Sequence, residues 1–204
     1  MINNKKYILS ALAAALVASS SVAVAQEYSS DNACTYEFRD AVRLKEKGMR
    51  GRSSAIFEEL ARKTGETDPL ALSVLEDVVM QVPGYTTRME DFVAACPHSP
   101  YVPQMYFAYA LNLFDADDYD QASVYLDMVK VKHLYKDQRD EYMFKKAYCM
   151  LEKGDYDNAL EGFQEVHKRP ESDYTAPARY ALGSICYRNG DFSQAQEWFE
   201  KSSS

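Results

Sequence analysis

The sequence predicts an all-α array of about five stacked helical hairpins, and three observations carry that expectation. The first is a hairpin written twice within residues 146–199. One copy reads Ala147, Gly154-Asp155-Tyr156, Ala159 and Phe163, and the other Gly183, Gly190-Asp191-Phe192, Ala195 and Phe199. Gly154 to Gly190, Tyr156 to Phe192, Ala159 to Ala195 and Phe163 to Phe199 are each 36 residues apart. A period of that size marks units that cannot bury their apolar faces alone and therefore stack. The second observation is helical spacing of apolar residues, as at Tyr106, Ala110 and Leu113, or Met143, Ala147 and Met150. The third is punctuation: Asp68-Pro69, Pro83-Gly84, Asp118-x-x-Gln121 and Pro170 are start and stop signals at hairpin intervals.

The chain begins with a leader. Lys5 and Lys6 precede an apolar run over residues 8–17 that only Ser10 interrupts, and Ala23-Val24-Ala25 then offers a small-x-small cleavage site before Gln26. That layout predicts a signal peptide over residues 1–25, because the apolar run is too short to span a bilayer. Residues 26–35 read as a flexible polar segment, and residues 36–47 as a surface helix carrying Phe38, Val42 and Leu44. After a turn at 48–51, Ser53 or Ser54 is expected to cap a helix running through Ala61, with Ile56, Phe57 and Leu60 on one side. Gly65 closes this pair.

Asp68-Pro69 opens the next helix, which should stop at Pro83-Gly84. Thr87-x-x-Glu90 is a capping box, and the helix it starts carries Met89, Phe92, Val93 and Ala95 up to Cys96-Pro97. Residues 36–100 thus read as divergent repeats. Three clearer hairpins follow at about 101–135, 140–170 and 175–204. In the first of them Asp117 stands where the later turns have glycine, and Asp191-x-x-Gln194 caps the last helix.

These residues resemble the tetratricopeptide repeat, with its small residue in the first helix, Gly-Asp-aromatic turn and Ala-x-x-x-aromatic second helix. The resemblance is clear over residues 101–201 and weaker over 38–100. It implies a right-handed superhelical solenoid whose concave face is lined by one side of each first helix. Carried over position by position, that face holds Gln104, Phe107, Leu111 and Phe114; then Glu141, Phe144, Tyr148 and Leu151; then Tyr180, Ser184, Tyr187 and Arg188. The candidate partner-binding residues are Phe107, Leu111, Phe114, Phe144, Tyr148, Tyr180, Tyr187 and Arg188. Such arrays usually end in a polar capping helix, yet here Trp198 and Phe199 stand beside the last residues. Either further repeats or a partner is expected to pack on that end.

Composition narrows the function. The 23 Lys and Arg face 31 Asp and Glu; removing the leader takes two lysines and no acid, leaving 21 against 31 and a net charge of −10. An acidic chain without a basic stripe argues against nucleic acid and anionic lipid as partners. Cys34, Cys96, Cys149 and Cys186 form no CxxC pair, so no zinc cluster is expected. Cys149 and Cys186 lie in first helices as small hydrophobes, which leaves Cys34 and Cys96 as bridge candidates.

His98, His133 and His167 lie near helix ends or in connections, read as solvent-facing, with no second ligand at metal spacing. The Asp115-Ala-Asp117-Asp118-Tyr-Asp120 run lacks the glycine and glutamate of a calcium loop and reads as a hairpin turn. No nucleophile, phosphate-loop or metalloprotease motif is present, and no cofactor is expected.

The expectation is an exported, periplasmic, non-catalytic scaffold or adaptor of the bacterial cell envelope, at or near the outer membrane periphery. It would bind a peptide segment or protein partner in the concave groove, with no membrane insertion once the leader is removed. One alternative is an N-terminal fragment or spacer of a longer array without its own groove ligand. The other is an enzyme using groove carboxylates such as Glu141 and Glu152.

Overall fold

In a computed structural model, which describes residues 33–203, every regular element is helical: ten α-helices and one short 3-10 turn. The expected leader over 1–25 and the polar residues 26–32 lie outside the described residues. The helices divide between two units, one up to Met105 and the other from Tyr106 onward.

The first unit contains α1 (Ala33–Glu46), α2 (Arg50–Thr64), α3 (Thr67–Met80) and α4 (Tyr85–Ala95). Helix α1 begins within the stretch expected to be loose. Phe38 and Ala41 on α1 are fully buried against α2, and the Phe38 and Phe57 rings meet edge-on at 5.4 Å. Ser53 and Ser54 do not cap α2. The helix starts three residues earlier, at Arg50, so both serines lie inside it and are buried. Their hydroxyls need partners there, and Ser53 donates to the Ala41 carbonyl at 2.8 Å while Ser54 donates to Asp77 at 2.8 Å.

Helix α3 runs through the middle of this unit and buries polar as well as apolar residues. Leu72, Val74, Leu75 and Val78 are joined by Ser73, Asp77 and the fully buried Glu76. Glu76 is held by Lys45 at 2.7 Å and Arg50 at 2.6 Å, while Asp77 pairs with Arg88. Buried carboxylates persist only with such partners. Two expected caps fail. Helix α3 starts at Thr67 with Glu66 at its cap, so Asp68 lies inside the first turn; α4 starts at Tyr85, ahead of the Thr87 box. Cys96, Cys149 and Cys186 are free thiols, while the side chain of Cys34, the other bridge candidate, lies outside the described ones.

The second unit continues from within α5 (Val102–Asp115) through α6 (Tyr119–Met128), α7 (Gln138–Glu152), α8 (Tyr156–Lys168), α9 (Thr175–Arg188) and α10 (Phe192–Ser202). Its core is built from two successive clusters of buried residues. Phe107, Ala110, Ala122, Leu126, Tyr142 and Cys149 form one cluster; Ala147, Ala159, Phe163, Val166, Ala178, Leu182 and Ile185 form the next. The long connection after α6 is not a bare loop. It folds as a 3-10 turn at Val131–His133 whose neighbours Val129 and Leu134 are buried in the first cluster.

The repeat's small residues are explained by helix approach. A Cβ added at Gly162 would lie 2.7 Å from the Ala147 Cβ, so α7 and α8 touch backbone to backbone there. The turn glycines are explained by backbone conformation, since Gly154 and Gly190 sit at φ 78° and 87°. Asp117 occupies the same left-handed region at φ 60°, which aspartate tolerates better than most residues. Asp118 caps α6 as expected, accepting from the Gln121 N–H at 3.1 Å. Asp191 starts α10 without a side-chain cap, and Gln194 instead accepts a weak bond from the Cys186 thiol.

Candidate functional site

The second unit brings a tract of aromatic rings together around α7. Phe114 at the end of α5 meets Tyr119 at 5.2 Å and Tyr148 at 5.4 Å, and Tyr148 meets Phe144 at 6.1 Å. Phe144 in turn contacts Tyr174, just before α9, at 5.4 Å, and Phe163 from below at 5.5 Å. Positions 144 and 148 are one helical turn apart, so their rings share one side of α7. Phe114, Tyr119, Phe144, Tyr148 and Tyr174 are all half-buried. Each therefore packs one side on the fold and turns another outward, an arrangement suited to contact with a partner.

Carboxylates rim this tract. The Tyr119 hydroxyl donates to Asp117 at 2.6 Å, which holds the phenol strongly protonated. Partial burial raises the Tyr148 phenol, with Glu152 beside it adding to the shift. Tyr174 is pushed up to about 12 by burial and by the neighbouring Glu141. Lys145 is a cation within reach. Its ammonium lies 4.2 Å above the Phe114 ring, 3.2 Å from Asp115 and 3.9 Å from Glu141.

The expected groove residues divide into three groups. Phe114, Phe144 and Tyr148 form the tract, and Leu111 packs partly buried at the edge of the first core cluster. Phe107 is a correction. It is 1% exposed, because α6 and α7 cover that side of α5 and Tyr142 meets its ring. Gln104, placed on the same face by the repeat pattern, is also buried. Tyr180 and Tyr187 are each 61% exposed, but they lean on α10, on Phe199 and Phe192 respectively. Arg188 stacks over the Tyr156 ring at 3.7 Å. Tyr119 and Tyr174 were not expected on this face, since both lie at helix starts outside the first-helix positions the pattern names.

Other candidate chemistry disperses. His167 is half-buried rather than solvent-facing: it accepts from Arg179 at 3.2 Å and meets Trp198 edge-on at 5.0 Å. Desolvation, with Arg179 and Lys201 nearby, lowers its pKa and favours the neutral ring. Burial pushes the Cys149 thiol up to about 11, which makes it a poor nucleophile. Among the described residues, no three His, Cys, Asp or Glu side chains converge as metal ligands, and no helix is long and apolar enough to cross a membrane.

Comparison with known proteins bears on the fold. Two sequence profiles described as tetratricopeptide repeat match residues 141–172 and 176–204. No curated protein matches the chain significantly. Among solved structures, MamA of AMB-1 is similar at a TM-score of 0.63 and 16% identity, covering 83% of this chain and 90% of that one. MamA from Desulfovibrio magneticus RS-1 (residue 41 to its end) gives 0.63 and 15%, covering 85% and 95%. Pseudomonas aeruginosa pilF gives 0.59 and 12%, covering 84% and 77%. Identities this low establish a shared fold of stacked helical hairpins. With its duplicated hairpin, its turn and core residues at the repeat positions, and the two profile matches, the chain carries tetratricopeptide repeats at residues 141–172 and 176–204.

Proposed function

We propose that this protein is a non-catalytic, protein-binding scaffold of the bacterial cell envelope that engages a segment of its partner on the α7 aromatic tract. The observation that carries the reading is the tract itself. Five half-buried rings on one side of the second unit, with a polar rim, have the composition of an interface centre rather than a solvated helix face. The repeat fold favours the same reading, because stacked hairpins present extended surfaces for other proteins. The leader read in residues 1–25 supports export. Sequencing the N-terminus of the protein recovered from a periplasmic fraction tests it, with Gln26 as the expected first residue.

The binding test compares Tyr148→Ala with Tyr148→Phe. Alanine removes the ring at the centre of the tract and is expected to abolish capture of the partner; phenylalanine keeps the ring and retains capture. Thermal melts of both variants check that the fold survives. If Tyr148→Ala melts as wild type does and captures the same partner, binding lies elsewhere.

A second surface has its own support. Tyr180, Tyr187 and Phe192 are each more than 60% exposed on the α9–α10 hairpin, beside Phe199. Exposed rings gathered on one hairpin favour a stacking surface for a further helical hairpin. Repeat-period sequence encoded beyond residue 204 would support it.

A further inference from the structure

The chemistry around the tract also selects its occupant. Resting on the reading of this face as the binding surface, we propose that the partner segment is basic, an extended stretch whose lysine or arginine side chains seat among Tyr119, Tyr148 and Tyr174. Three observations lead there.

The first is charge. Asp117 accepts from the Tyr119 hydroxyl at 2.6 Å, and Asp115 and Glu141 lie 3.2 and 3.9 Å from the Lys145 ammonium over the Phe114 ring. Glu152 is one helical turn on from Tyr148, and Asp173 immediately precedes Tyr174. Lys145, whose ammonium lies over the Phe114 ring, is already shared between Asp115 and Glu141. The face therefore has carboxylates in excess over its own positive charge, and an incoming cation would be matched by them.

The second is ring chemistry. A cation within about 6 Å of an aromatic face is attracted by the ring quadrupole, most strongly where water is partly excluded. A tyrosine whose hydroxyl donates to a carboxylate, as Tyr119 does to Asp117, presents such a face with a counter-charge at its rim. An acidic segment would meet repulsion from the same carboxylates, so the rim also selects against the opposite charge.

The third is the repeat itself. One period later the chain shows the filled arrangement: Arg188 of α9 lies 3.7 Å over the Tyr156 ring and donates to its hydroxyl. The residue 36 positions before Arg188 is Glu152, and the ring equivalent to Tyr156 is Tyr119. Where the last repeat places its own guanidinium, the preceding one places a carboxylate beside Tyr119 and Tyr148. The same framework thus holds an internal cation in one repeat and is charged to receive an external one in the other.

The experiment is a fluorescence-anisotropy titration of the full chain with two labelled peptides. They are identical except that one carries lysines where the other carries glutamates. The lysine peptide is expected to bind saturably, and more weakly as salt rises. Asp117→Asn with Glu152→Gln should weaken it about tenfold or more, the scale of one to two charged contacts. Asparagine at 117 tolerates the left-handed backbone there, so the fold is kept. Glu161→Gln with Glu165→Gln removes the same charge from exposed positions on α8 and should leave binding within about twofold.

Equal losses in both double variants would reduce the effect to net charge and overturn the proposal. So would equal or tighter binding of the glutamate peptide, or no binding of either. If the glutamate peptide binds and Tyr148→Ala abolishes that binding, the basic specificity is wrong while the scaffold reading of the face stands.

Discussion

Replacing Gly162 with alanine sets two well-calibrated effects against each other. Gly162 lies within α8, where alanine favours the helix over glycine by about 1 kcal/mol. Against this, the new Cβ would meet the Ala147 Cβ at 2.7 Å and the Ala147 Cα at 3.4 Å. Carbon atoms sit comfortably at about 3.5–4.0 Å, and the atoms in the way belong to or adjoin the α7 backbone, so no side-chain rotation relieves the overlap. Helices α7 and α8 must part, and overpacking of this kind costs roughly 1–3 kcal/mol. The net expectation is a destabilisation of about 0–2 kcal/mol, measured by urea denaturation. Moving the methyl instead of adding it supplies the control: Ala147→Gly with Gly162→Ala should recover much of the loss, a coupling that distant sites do not show. If Gly162→Ala alone stabilises the protein by the full helix-propensity increment, α7 and α8 are not in backbone contact and the position assigned to the Phe144 and Tyr148 rings is wrong.

Other parts of the structure make equally definite predictions. Glu76→Gln removes the charge that Lys45 and Arg50 hold in the first unit, and should destabilise that unit by about 1–3 kcal/mol, read as faster amide exchange in α1 to α3. Phe144→Ala takes a ring out from between Tyr148, Tyr174 and Phe163 and should cost about 2–4 kcal/mol in a denaturant melt. It is therefore a poor probe of binding, and Tyr148 is the better one. His167 has a lowered pKa in the fold, so below its ordinary value of 6.5 the unfolded chain binds the proton more readily. Stability should fall as pH drops through about 6.5 towards the folded-state value, and His167→Gln should remove that component of the slope.

The hairpin architecture was legible because its signals are local. Glycine or aspartate at a left-handed turn, a small residue where two helices touch, and an aromatic four residues after an alanine each follow from nearest-neighbour packing. The polar interior of the first unit was not legible. Glu76 and Asp77 look like solvated helix positions until Lys45, Arg50 and Arg88 arrive from other helices, and no periodicity announces such partners. The failed caps share a cause, since α2, α3 and α4 start where tertiary packing holds them and not at the best-matching side chain. The repeat pattern put Phe114, Phe144 and Tyr148 on one face, and their rings do meet in the aromatic tract. Phe107 from the same pattern is covered by α6 and Tyr142, and Tyr119 and Tyr174 reach the tract from helix starts the pattern does not name.

The central claim is that the α7 tract touches the partner. The most direct measurement is photo-crosslinking in cells, with a benzophenone amino acid placed at position 148 and, separately, at position 161 on α8. The account predicts an adduct from 148, traceable by mass spectrometry to one segment of one protein, and none from 161. An adduct from 161 in its place, or no adduct from 148 in a folded protein, would contradict it.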